Sequence, residues 1–241
     1  MNGLTAADYA DTGQWLLLIE VGHEGMCAFL KNIVHEGVVP QLLFESQWED
    51  NPENLLTNLE NAVYDHPRVL EDFNAKIIVD DRQTLFSPTE LIEESEGTEE
   101  TFHTAIYDVE PRDIMSDTDN DLTATYSLAP GVKSFLYRTF PGARVVSNLM
   151  DKVKKYRNEG EGLRLFIDVK KKRADFIFLN EKELLSASTQ DWRDPEDLVY
   201  RVFNLFRVYE SDPKNVKVRL GGESQVGELK KMIEKYTNSG L

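Results

Sequence analysis

Apolar and polar positions along the chain fall into one order of short runs, and that order occurs twice. In the first occurrence, Gln14 to Val21 and Met26 to Leu30 are apolar runs separated by Gly22-His23-Glu24-Gly25, and a turn with two glycines predicts a hairpin. Val38 to Glu45, set off by Gly37, predicts a third strand. Asn51-Pro52-Glu53-Asn54 then reads as a helix start, with a capping side chain, proline at the first helical position and an acid near the positive helix end. Leu55, Leu56, Leu59 and Val63 follow at helical spacing, so this helix runs to about His66-Pro67. Ala75 to Val79 is a short β-rich run ending in Asp80-Asp81.

The second occurrence begins at Leu163 to Val169, turns through Lys170-Lys171-Lys172-Arg173, and continues with strands at Ala174 to Leu179 and Glu183 to Thr189. Asp194-Pro195-Glu196-Asp197 is again cap, proline and acid, and Leu198, Val202, Leu205, Phe206 and Tyr209 share one helical face. Val216 to Leu220 alternates like a strand and ends at Gly221-Gly222. One Asx-Pro-Glu helix start recurs easily by chance, because it is simply a good helix start. Three strands, a helix and a strand in the same order around it point instead to an internal duplication.

The stretch between the copies is mixed. Ser87-Pro88-Thr89-Glu90 starts a short helix, while Thr98 to Glu110 and Leu122 to Leu128 alternate like strands. Ala129-Pro130 opens a helix through Phe140 with Gly142 as its stop. Ala143 to Ser147 predicts a strand, and Asn148 to Arg157 an amphipathic helix with a basic outer face. Glu93 to Glu100 reads as an exposed acidic loop. The division that follows is a first core over 1–82, an inserted α+β segment over 83–160 completing the first lobe, and a second core over 161–241.

Composition narrows the function classes. The net charge of −16 over 241 residues divides unevenly: the chain through Gly131 has 27 acidic and 5 basic residues, −22, and the remainder 22 basic and 16 acidic, +6. An acidic first half repels phosphates and makes nucleic acid an improbable partner there, whereas the second half is open to an anion. No segment approaches the roughly 20 apolar residues of a membrane span, and with neither a basic n-region nor an apolar h-region near Met1 no secretory leader is expected. Cys27 is the only cysteine, and His23, His35, His66 and His103 are scattered, so neither a disulfide nor a zinc-ligand cluster is expected. A cytoplasmic protein with no metal site follows. Walker loops, nucleophile elbows and dinucleotide fingerprints are absent.

Three meandering strands followed by a helix and a fourth strand form the core of the ribonuclease-H-like fold, and two such cores in one α/β chain resemble the actin-like ATPase architecture. Ala124 to Pro130, Ala143 to Val146, Leu165-Phe166-Ile167-Asp168, Arg173 to Phe178, Pro195 to Tyr200 and Val218 to Gly222 resemble a bacterial family, a domain of unknown function, with that fold, akin to pilus-assembly and cell-division actin-like proteins. The resemblance is strong from about Ala75 onward and weaker before it. It implies two hairpins that hold ATP phosphates with magnesium, and a Gly-Gly turn that holds adenosine.

The first hairpin, Glu20 to Gly25, keeps an acid and Gly22 but adds Glu24, a second negative charge facing phosphate. The second keeps Asp168 and has no glycine, offering Lys170 and its basic neighbours as point charges. Leu220-Gly221-Gly222-Glu223-Ser224 fits the adenosine turn best. The expectation is a non-catalytic actin-like protein with a degenerate nucleotide site, acting through a protein partner as a scaffold. The rival is a nucleotide-dependent ATPase using Glu20 and Asp168 as its acids, with Gly22, Lys170, Gly221 and Gly222 holding Mg-ATP. A two-metal nuclease built on Glu20, Glu53 or Glu60, and Asp80 is a distant third, because it works against the acidic field.

Overall fold

The computed structural model describes residues 12–35, 37–81, 83–93, 98–222, 226–235 and 237. These divide into two compact units, Met1–Asp81 with Ser87–Asn148, and Arg82–Phe86 with Leu149–Leu241.

In the first unit, β1 (Trp15–Val21), β2 (Gly25–Asn32) and β3 (Gln41–Gln47) form an antiparallel meander. β4 (Asn74–Val79) joins parallel to β1, and β8 (Arg144–Ser147) parallel to β4, giving the order β3-β2-β1-β4-β8. Alternation dictates the faces. Trp15, Leu17, Ile19 and Val21 of β1 and Met26, Ala28 and Leu30 of β2 are buried against Leu55, Leu59, Ala62 and Val63 of helix α1 (Leu55–Asp65). The helix start is the one the sequence encodes: the Asn51 side chain accepts from the Glu53 amide, and Pro52–Asn54 forms a single 3-10 turn leading into α1. Val132, Phe135 and Leu136 of helix α4 (Val132–Thr139) complete this core.

Between β4 and α4 lie β5 (Thr84–Pro88), α2 (Thr89–Glu93), α3 (Thr98–Tyr107), β6 (Ile114–Asp119) and β7 (Leu122–Ser127). Here the sequence reading needs one correction, and it leaves β6 unassigned. Thr98 to Glu110, expected as a strand, is helix α3. Phe102, Thr104 and Ile106 alternate, but Phe102 with Ile106 and His103 with Tyr107 are also i,i+4 pairs, and over so short a run period 2 cannot be told from period 3.6. Packing decides it: His103 is fully buried and its ring lies 4.8 Å from that of Tyr107. β6, which the polar run Ser116-Asp117-Thr118-Asp119 conceals, pairs antiparallel with β7 around a two-residue turn whose Asn120 has φ 51°. The middle of the acidic run, 94–97, lies outside the described residues, and its last members begin α3.

The second unit repeats the plan. β9 (Leu163–Val169), β10 (Arg173–Asn180) and β11 (Glu183–Asp191) are antiparallel neighbours, and β12 (Lys217–Gly222) runs parallel to β9, in the order β11-β10-β9-β12. Leu165, Ile167, Phe176 and Phe178 pack against Leu198, Val202 and Phe206 of helix α6 (Pro195–Val208), capped by the Asp194 carboxylate on the Asp197 amide at 3.0 Å. Helix α7 (Val226–Glu234) adds Leu229 and Ile233 to this core. Helix α5 (Asn148–Tyr156) contributes a buried stripe of Leu149, Met150 and Val153. Arg164, 1% exposed, is satisfied by the carbonyls of Tyr156, Glu159, Gly162 and Glu181. Each unit is thus a ribonuclease-H-like core.

Candidate functional site

The duplication extends to the hairpin tips. In the first, the Gly22 amide donates to the Gly25 carbonyl at 2.8 Å; in the second, the Lys170 amide donates to the Arg173 carbonyl at 2.7 Å. A tryptophan just beyond the third strand braces each tip. Trp48 donates from its backbone to Glu24 O at 3.0 Å and from its indole to His23 O at 2.9 Å. Trp192 donates from its backbone to Lys172 O at 3.0 Å and from its indole to Lys170 O at 3.1 Å. Strand register makes Glu20 opposite Cys27 the counterpart of Asp168 opposite Asp175.

Glu20 and Gly22 therefore sit in the first unit, and Asp168, Lys170, Gly221 and Gly222 in the second, with Asp168 paired in register with Gly221. Gly22 accommodates a Cβ at 3.4 Å from its nearest neighbour, Gly25 O, and its φ is not positive. The obligatory glycine in this tip is Gly25, where a Cβ would lie 2.6 Å from Ser46 O. Glu20 is exposed and accepts a hydrogen bond from Cys27 Sγ at 3.6 Å. Burial pushes the Cys27 thiol up to about 12, with Glu20 adding to the shift. Alkylation by iodoacetamide near pH 8 is accordingly expected to run at least about a hundredfold slower than at an unperturbed thiol, and to speed up in Glu20→Gln. Rates followed by mass spectrometry check this, and an ordinary rate would contradict it.

The second tip is dominated by residues the sequence reading did not single out. Asp175 of β10 is fully buried. Its Oδ2 accepts from Lys152 Nζ at 2.7 Å and lies 3.3 Å from Lys170 Nζ, while its Oδ1 accepts from Thr189 Oγ1 at 2.7 Å. Lys152 donates its other short hydrogen bond to Asp168 Oδ2. Two ammonium groups thus face two carboxylates. Burial alone raises the Asp175 pKa, but Lys170 and Lys152 outweigh it and hold the carboxyl below the usual range. Burial likewise disfavours the Lys152 charge, and Asp175 with Asp168 more than restores it.

This corrects the expected basic outer face of α5, since Lys152 turns inward and Lys154 and Lys155 occupy the last turn. It also narrows the expected cationic turn. Arg173 is buried and Lys170 pairs with Asp175, which leaves Lys171 and Lys172 as the exposed cations. An acid inside the otherwise apolar run Ala174 to Leu179 was the signal for Asp175. Nothing in the sequence pairs it with Lys152.

At the Gly-Gly turn, Gly222 has φ +103°, and a Cβ there would overlap Val169 O and come within 2.8 Å of the Val169 carbonyl carbon. Glu223 and Ser224, the rest of the expected adenosine turn, lie outside the described residues. In the first unit the acids after β4 are engaged: Asp81 accepts from Ser147 Oγ at 2.8 Å and Asp80 from Asn148 Nδ2 at 3.4 Å. Among the described residues no three His, Cys, Asp or Glu side chains converge as metal ligands, and no helix is long and apolar enough to cross a membrane.

Solved structures share this fold. A Bacteroides thetaiotaomicron protein with actin-like ATPase fold and unknown function matches with TM-score 0.84 at 19% identity, over 98% of this chain and 93% of that one. The PilM-PilN type IV pilus biogenesis complex matches with TM-score 0.54 at 11% identity, over 94% and 87%. The ethanolamine utilization protein EutJ from Carboxydothermus hydrogenoformans matches with TM-score 0.52 at 6% identity, over 93% and 82%. At these identities the likeness shows the fold alone, the duplicated actin-like ATPase architecture. No protein with a curated description matches the sequence. The family model described as "Protein of unknown function (DUF3822)" matches residues 8–239, and the chain belongs to that family.

Proposed function

We propose that this is a non-catalytic member of the actin-like fold, a cytoplasmic scaffold that works by binding a protein partner. One observation carries the reading: Asp168, the acid that would organise magnesium and water in the second hairpin, is already neutralised by the Lys152 ammonium, which it shares with buried Asp175. Magnesium needs open oxygen ligands in near-octahedral array. A carboxylate whose Oδ2 is held by a protonated amine in a charge-balanced cluster keeps one oxygen for a metal but offers it little net negative field. A triphosphate gains little from the same tip, whose Lys170 is committed to Asp175. The first tip faces an approaching phosphate with Glu24, a second negative charge beside Glu20.

A protein-binding role is consistent with the neighbour PilM, whose structure is of a complex with PilN. Isothermal titration calorimetry of the full chain with Mg-ATP is the test. The expected result is neither heat of binding nor a thermal shift at millimolar nucleotide. Micromolar binding would overturn the scaffold reading in favour of the nucleotide-dependent ATPase.

A further inference from the structure

β3 is the outermost strand of the first unit's sheet and, among the described residues, pairs with β2 alone. An edge strand presents alternate N–H and C=O groups to its open side, ready to pair with another chain. Next to this edge the protein concentrates its exposed aliphatic side chains. Ile33, Val34, Val38 and Val39 lie in the β2–β3 connection, Val39 at 82% exposure, and Leu42 on β3 is 49% exposed. The connection is held in shape, since Asn32 Oδ1 accepts from the amides of Val34 at 2.9 Å and His35 at 2.7 Å.

Alongside β3 an open depression of about 310 Å³ is lined by Leu42, Phe44, His66, Pro67 and Val69, large enough for aliphatic side chains. Gln41 Oε1, also in its wall, is buried with no hydrogen-bond partner among the described residues. The charged neighbours are mostly acidic: Glu45 is exposed on the strand, Glu49 just beyond it, and Asp65 at the depression, against Arg68 and the exposed Lys31 of β2. The chain through Gly131 carries −22.

We infer that the β3 edge and its adjoining depression form the docking site for an extended segment of a partner protein, one with aliphatic residues flanked by lysine or arginine. The segment adds a strand beside β3 and seats an aliphatic side chain in the depression. Its cations face Glu45, Glu49 and Asp65. Those same acids disfavour a second copy of this chain, since pairing β3 with β3 brings like charges together. The inference rests on the partner-binding reading above and gives it a place and a chemistry.

The test is selection of phage-displayed random peptides against the full chain at low salt. Enriched peptides are expected to alternate aliphatic and polar residues between basic flanks, and to slow amide hydrogen exchange in β3. Their affinity is expected to fall at least about tenfold in Leu42→Asp and in Val39→Asp. Val39 is almost fully exposed, so its variant keeps the fold, as an unchanged melting curve will verify. Failure to enrich such peptides, or equal binding to both variants, overturns the proposal. Self-association of the wild type that both variants abolish also overturns it, by making a second copy the occupant. None of these outcomes depends on Mg-ATP titration, so the docking site and the non-catalytic reading fail separately.

Discussion

Replacing Lys152 with methionine is expected to destabilise the second unit by about 3–5 kcal/mol, the range for removing one partner of a buried ion cluster. Methionine keeps most of the volume, so the loss is electrostatic: Asp175, fully buried, and Asp168 are left with Lys170 as the remaining ammonium of the cluster. Urea denaturation as a function of pH separates this from a packing defect. In the wild type, Asp175 has a folded pKa below its unfolded one, so its contribution is present above the ordinary carboxylate range, about 4, and is lost as pH falls through the folded value. In Lys152→Met the uncompensated carboxylates gain by taking up a proton. The deficit relative to wild type is therefore expected to shrink from about pH 8 to about pH 4. Adding Asp175→Asn is expected to recover part of the loss at neutral pH. A deficit independent of pH, or none at all, would refute the charge-cluster account.

Gly222→Ala is expected to cost about 3–5 kcal/mol, combining backbone strain at positive φ with a steric overlap that only movement of β12 away from β9 relieves. The new Cβ would strike Val169 O, a backbone atom fixed in the parallel ladder where Gly222 pairs with Val169. Gly22→Ala, by contrast, is expected to cost less than about 1 kcal/mol, because its nearest contact is an ordinary 3.4 Å. Thermal melts of the two variants check the contrast, and a Gly222→Ala protein that melts like wild type would refute it. The result bears on the nucleotide question. Loss of nucleotide binding on enlarging Gly222 would not identify an adenosine site, since the same change disrupts the strand beneath it.

Most of the strands and helices were legible because burial here follows local periodicity. Trp15, Leu17, Ile19 and Val21 face one way, and Leu198, Val202 and Phe206 fall on one helical face. Asn51-Pro52 and Asp194-Pro195 mark helix starts by chemistry contained within four residues. Legibility failed where local signals were ambiguous or polar. α3 fits two periods at once, and β6 buries Ile114, Met115 and Asp117 within a polar run that shows no strand alternation.

For the candidate site, the sequence located the two tips and their acids, because a duplicated turn is a matter of order along the chain. It also determined the repeated plan and the division of charge into acidic and basic halves. Only the tertiary structure decided what Asp168 faces. Lys152 belongs to a helix in a run of lysines, and its chain position fits solvent as well as it fits a buried pair. The fold settles the choice by packing α5 through Leu149, Met150 and Val153, which carries Lys152 onto Asp168 and Asp175. A buried carboxylate needs a partner, but the chain does not say from which element the partner comes; that depends on where helix and sheet meet in space.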